Sequence, residues 1–139
     1  MVTREDLDSY FIRMNLDLEE VEENMWMIKT PQDGVPIIVH YTPPVLVMRI
    51  KVLDLPEDKD DVRLAPLYRR LLELNAADIV HGSYGIDENE IVLSDALELE
   101  DLDFSELRSS YESMLFALSS HVPQIAELVD GGRPVAQGG

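Results

Sequence analysis

The nine residues VLVMRIKVL at 45–53 alternate almost without fault and constrain the fold more than any other stretch of the chain. On an extended backbone, Leu46, Met48, Ile50 and Val52 face one way, and Arg49 and Lys51 face the other. A helix would scatter these residues around its axis. A strand with one buried and one wetter face keeps them apart. Pro43-Pro44 breaks the chain just ahead of it. The rest of the sequence therefore has to supply partner strands and a cover for the apolar face.

VPIIVHYT at 35–42 predicts a strand with Val35, Ile37, Val39 and Tyr41 on one face, and NMWMIK at 24–29 predicts another. Between them, PQDG at 31–34 has the proline and Asp-Gly of a turn. Short links make these three strands an antiparallel meander. LDLEEVEEN at 16–24 is acidic and weakly patterned, and reads as a solvated extended approach to the first strand. IVHGSYGI at 79–86 and EIVL at 90–93, joined by an Asp-Glu-Asn turn, predict a fourth and a fifth strand, with Leu97 and Leu99 continuing an extended path.

Three segments have helical spacing. Thr3 and Asp6 form a capping box ahead of Leu7, Tyr10, Phe11 and Met14, which places a helix over 4–15. LPEDKDD at 55–61 is a solvated loop, after which Pro66 suits the first turn of a second helix carrying Leu67, Leu71 and Leu74. Ser105 or Asp103 caps a third, whose apolar stripe runs from Leu107 through Met114 and Leu118 to Leu128. Pro123 lies inside that stripe and predicts a kink or break near Ser119–His121. The order is α-β-β-β-α-β-β-α: an α+β domain over 1–129, with an antiparallel sheet and helices packed on one of its faces. The residues after it, DGGRPVAQGG at 130–139, read as a flexible tail.

Charge narrows the partners. Of 139 residues, 28 are acidic and 11 basic, a formal net charge of −17. Such a field repels a phosphate backbone and an anionic bilayer, so no nucleic acid and no membrane partner is expected. The start, MVTREDLDSYF, carries acids where a signal peptide needs an apolar core, and the longest apolar runs are too short to span a bilayer. A cytoplasmic protein is the expectation. The absence of cysteine removes disulfides, thiolate metal sites and thiol nucleophiles.

Few residues suggest chemistry. In VHGSYGID at 80–87, Ser83 has Gly85 where the nucleophile elbow G-x-S-x-G requires it, but His81 replaces the first glycine, and a hairpin follows where a helix is needed. A small hydrolase or metal-dependent enzyme using Ser83 and His81 is the reading from another class, and it is disfavoured. Gly82 and Gly85 read instead as strand glycines, allowing a bulge or a close backbone approach. Asp87–Glu90 opens like a calcium loop, but positions five and six are Ile91 and Val92. Asp58, Asp60 and Asp61 fail in the same way at Val62. His40, His81 and His121 lack the spacing of paired metal ligands and are placed on strand faces or helix ends. No catalytic residue, metal or cofactor is assigned. Trp26 between Met25 and Met27 puts apolar residues on both faces of one strand, so one face is expected to meet a second subunit or a ligand segment. Met14, Met48 and Met114 read mainly as core fillers.

Leu74-Asn75 ending a leucine-rich helix, Gly82 to Gly85 around Tyr84, the acidic hairpin Asp87–Glu90 and Ile91–Leu93 occur in an order and spacing that resemble the bacterial YbjN-like proteins, over about residues 3–128. That family shares the fold of the class I type III secretion chaperones. The resemblance implies a non-enzymatic domain, an adaptor or chaperone-like regulator that binds a protein or peptide partner and forms a homodimer. It implies no catalytic residues, and no partner-binding residues are assigned. A dedicated secretion chaperone holding an extended client segment is the nearest alternative.

Overall fold

The computed structural model describes residues 1–30, 35–57 and 60–130. The expected turn at 31–34, Asp58 of the acidic loop and the tail from 131 onward lie outside the described residues. The elements run α1 (Arg4–Arg13), β1 (Asp17–Glu22), β2 (Met25–Lys29), β3 (Ile37–Thr42), β4 (Val45–Asp54), α2 (Asp61–Ala77), β5 (Ser83–Asp87), β6 (Glu90–Glu98) and α3 (Phe104–Val129). The six strands form one antiparallel sheet in the order β1-β2-β3-β4-β6-β5.

The expected α+β class, with helices on one face, is what the chain adopts, but its element order has one more strand. The acidic stretch read as a solvated approach contains β1, paired with β2 from Asp17 opposite Lys29 to Glu22 opposite Met25, with a bulge between Glu20 and Glu22. The cover expected for β4 is present. Leu46, Met48 and Ile50 are fully buried, as are Ile37, Val39 and Ile28 on neighbouring strands. Against them pack Leu7 and Phe11 of α1, Leu64, Leu67, Leu71 and Leu74 of α2, and Leu107, Met114 and Ile125 of α3. Tyr10 and Met14 are only half-buried.

Helix ends follow local chemistry. Thr3 Oγ1 accepts from the Asp6 N–H at 3.2 Å, and Asp6 Oδ2 accepts from the Thr3 N–H at 2.9 Å. Asp103, not Ser105, caps α3 by accepting from the Glu106 N–H at 2.8 Å. Helix α2 begins earlier than Pro66 suggested: Asp60 caps it by accepting from the N–H groups of Val62 and Arg63. Pro66 is therefore interior, and the Val62 carbonyl gives up its helical donor. The break expected near Ser119–His121 is absent, because α3 continues through Pro123 to Val129. One lost bond is a small cost for a helix whose buried stripe spans its length.

Candidate protein-binding surface

The VHGSYGID stretch does not assemble a nucleophile. Ser83 is the first residue of β5, exposed opposite Ser94, and neither its hydroxyl nor the His81 ring makes a hydrogen bond among the described residues. Gly82 has a backbone reason: its φ is +91°, and an added Cβ would lie 2.9 Å from the Ser94 carbonyl oxygen. Gly85 has none of that kind, since its Cβ would meet nothing nearer than Val92 at 4.0 Å. That corrects the reading that both glycines serve close approach.

The polar contact that does form involves a different histidine. His121 is 4% exposed in the middle of α3, not at a helix end, and its Nδ1 lies 2.8 Å from the Tyr84 hydroxyl. Burial pushes the Tyr84 phenol well above its ordinary value, so it keeps its proton in this contact. The other ring nitrogen, Nε2, lies 3.6 Å from an Asp78 carboxylate oxygen. This contact joins the end of α2, β5 and α3 beneath the surface. Sequence reading missed it, because the two partners lie 37 residues apart. His40 is exposed on β3, and no group of three or more His, Asp or Glu side chains suited to a metal forms among the described residues.

Among the described residues, no helix covers the sheet's other face. Register places Met27, Ile38 and Arg49 side by side in one row, and Met25, His40, Val47 and Ala96 in the next. Met25, Met27, Ile38 and Val47 are half-buried there, while Trp26 points inward against Phe11 and Ile28 is fully buried. The expectation that one face of this strand is open to a partner thus falls on the methionines. Arg49 pairs with Asp87, and Lys51 with Asp54 and Glu90, so charge pairs frame the apolar rows. A groove of about 460 Å³ lined by Val35, Pro36, Ile38, Val52 and Leu53 continues the apolar surface toward the end of β4. Met48 and Met114 are core fillers, with no exposure.

The two sheet edges differ. At β5, the Asn75 side chain donates to the Tyr84 carbonyl at 3.1 Å and accepts from the Tyr84 N–H at 2.7 Å. Asn75 was expected to end α2. The helix runs on to Ala77, and Asn75 instead closes the β5 edge as a strand would. Edge strand β1 has no such closure and carries Glu19, Glu20 and Glu22. Ile86, on the same face of β5 as buried Tyr84, is 47% exposed.

Comparison with known proteins gives the family-scale result. The CesT_Tir_1 family model matches residues 2–130. Similar solved structures include the heterodimeric complex ExoU-SpcU from the type III secretion system of Pseudomonas aeruginosa, with TM-score 0.65, 14% identity, and 84% of this chain and 95% of that chain covered. E. coli YbjN matches with TM-score 0.65 and 13% identity, over 88% of this chain and 93% of that one. The Yersinia pestis type III secretion chaperone SycH, in complex with a fragment of YscM2, matches with TM-score 0.55 and 14% identity, over 82% and 94%. Comparison with curated protein sequences gives no match. The resemblance read from the residues therefore holds at the level of fold. Among the described residues, no helix is long and apolar enough to cross a membrane.

Proposed function

The chain belongs to the CesT_Tir_1 family, and on that premise we propose that it is a non-enzymatic protein-binding module that holds an extended client segment in the manner of a chaperone. The observation that carries this reading is the helix-free sheet face bearing Met25, Met27, Ile38 and Val47. Flexible methionine side chains accept varied apolar partners, and an extended segment suits a flat, pleated surface. Among the described residues, β1 is the sheet edge whose outer backbone groups meet no side chain. Asn75 occupies the β5 edge, so strand addition belongs at β1, whose glutamates favour a segment with basic side chains. Similar structures solved as chaperone–partner complexes support the reading by analogy of fold.

The test is selection of binders from a random peptide library on immobilised protein, followed by affinity measurement against the variant Met27→Glu/Ile38→Glu. Selected peptides should be extended and apolar with basic flanks, and should bind this variant at least ~10-fold more weakly, a factor worth about 1.4 kcal/mol. Unchanged affinity in a variant that keeps its melting temperature would sink the assignment of this face. Whether the client is a secreted protein is a question of genomic neighbourhood, since a dedicated secretion chaperone is encoded beside its client.

A further inference from the structure

Most cations among the described residues have an acidic partner: Arg4 with Glu20, Arg49 with Asp87, Lys51 with Asp54 and Glu90, and Arg69 and Arg70 with Glu73. Lys29, Arg63, Arg13 and Arg108 have none, although acids outnumber bases 28 to 11; Arg63 donates to the Val129 carbonyl instead. The guanidinium groups of Arg13 and Arg108 lie over one ring, that of Phe104, at 3.7 and 5.3 Å from its centroid. Arg13 comes from the last turn of α1 and Arg108 from the start of α3, and Tyr10 holds the Phe104 ring edge-on at 5.9 Å. Stacking on an aromatic face accounts for one arginine. Bringing a second to the same ring sets two like charges together with neither in an ion pair among the described residues, an arrangement that a further anion favours.

A cleft of about 250 Å³ opens at this point, lined by Arg13, Met14, Phe104, Arg108, Tyr111 and Glu112. Tyr111 is largely buried, and its hydroxyl, which reaches solvent, makes no hydrogen bond among the described residues. Burial and the Glu112 charge push its phenol above the ordinary value, so the hydroxyl remains a donor. Two guanidinium groups against the Glu112 carboxylate leave the cleft with one positive charge in excess. That balance suits a single carboxylate. A dianionic phosphate or a nucleic acid strand would meet both Glu112 and the net charge of −17 around it.

We propose that the α1–α3 cleft is a subsite for one carboxylate beside an apolar residue in a bound protein segment. Arg13 and Arg108 take the carboxylate, the Tyr111 hydroxyl donates to it, and Phe104 and Met14 hold the apolar neighbour. Planar guanidinium forks match a carboxylate in two-point contact, which an ammonium group does not. The assignment rests on the protein-binding reading above and adds a chemical preference to it: one acidic residue of the bound segment held on the helical side.

The test is an amide NMR titration of the whole protein with three probes: acetyl-Phe-Glu-Leu-amide, its Gln counterpart and inorganic phosphate. The Glu peptide should shift residues around Arg13, Phe104 and Arg108, and the Gln peptide should bind roughly ten-fold more weakly, as expected for loss of a charge-assisted contact. Arg13→Gln/Arg108→Gln should lose the same factor, and Glu112→Gln should bind the Glu peptide several-fold more tightly, which a merely structural role does not produce. Should the double variant lose its native spectrum, Tyr111→Phe takes its place, with several-fold weaker binding expected and unchanged affinity overturning the proposal. Equal binding of Glu and Gln peptides, phosphate binding as tightly as the Glu peptide, or no shift at millimolar Glu peptide would each overturn it as well. Met27→Glu/Ile38→Glu should leave tripeptide affinity untouched. Failure of the library selection with the tripeptide still bound removes only the open-face reading, and the converse removes only this one.

Discussion

Gly82 and Gly85 look equivalent in GSYG, and they are not. At Gly82 a side chain meets both a left-handed backbone and the Ser94 carbonyl oxygen at 2.9 Å, so Gly82→Ala should cost about 1–3 kcal/mol. At Gly85 the nearest atom is 4.0 Å away, so Gly85→Ala should be neutral or slightly stabilising, within about 0.5 kcal/mol. Urea midpoints of the two variants check this, and equal losses would refute the distinction. A second residue-scale expectation concerns Asp6. Hydrogen bonds from the Thr3 backbone and side chain hold its carboxyl below the ordinary carboxylate value. A depressed folded value means that its contribution is present above the unfolded pKa and is lost as pH falls through the folded one. Asp6→Asn should therefore reduce stability at neutral pH and flatten its decline in acid, as thermal melts from pH 7 to 3 would show. The capping box was legible in advance because both partners lie within one turn of sequence. The glycine difference was not, because what meets Gly82 comes from β6.

Elements whose pattern is set by their own burial were readable, and those set by a neighbour were not. Strand β4, whose inner face is buried under the helices, shows its alternation plainly. β1 does not: as an edge strand with mostly exposed residues, it is held by pairing with β2 and needs no apolar face. Its run of acids, which disguised it, is also what an unprotected edge carries to discourage self-pairing. Pro66 and Pro123 misled in the opposite direction, since tertiary packing holds both helices across a local defect. Asn75 shows the same dependence. As the end of a leucine-rich helix it reads as a cap, yet its side chain completes the edge of a strand nine residues later. Asn75→Ala should leave the Tyr84 N–H and C=O half-buried without partners, at a cost of about 1–3 kcal/mol. Faster hydrogen exchange at the Tyr84 amide, with the β4 amides still protected, is the expected signature. Unchanged exchange there would show that the edge does not need Asn75.

At the scale of the molecule, charge and apolar exposure pull against each other. Phe116 is 74% and Val80 85% exposed, and together with Ile79 and Ala117 they line a groove of about 320 Å³ between the end of α2 and α3. An exposed aromatic beside a groove is where a second copy could seat an apolar anchor, so this groove is the place to test for self-association. The net charge of each copy, −17, opposes that contact, because two like-charged surfaces must approach within a Debye length of each other. The exposed ion pairs do not soften this charge, because −17 already counts both members of each. Association should therefore strengthen with salt, opposite to an interface built on attracting charges. Sedimentation velocity from 20 mM to 500 mM NaCl is expected to show a rising dimer fraction as the Debye length shrinks from about 20 Å to about 4 Å. Phe116→Asp, which puts a further negative charge where the aromatic anchor stood, should remain monomeric across the range. Dimerisation that weakens with salt, or survives Phe116→Asp, would move the interface elsewhere, and the charge sign of the response would indicate whether paired charges or apolar contact holds it.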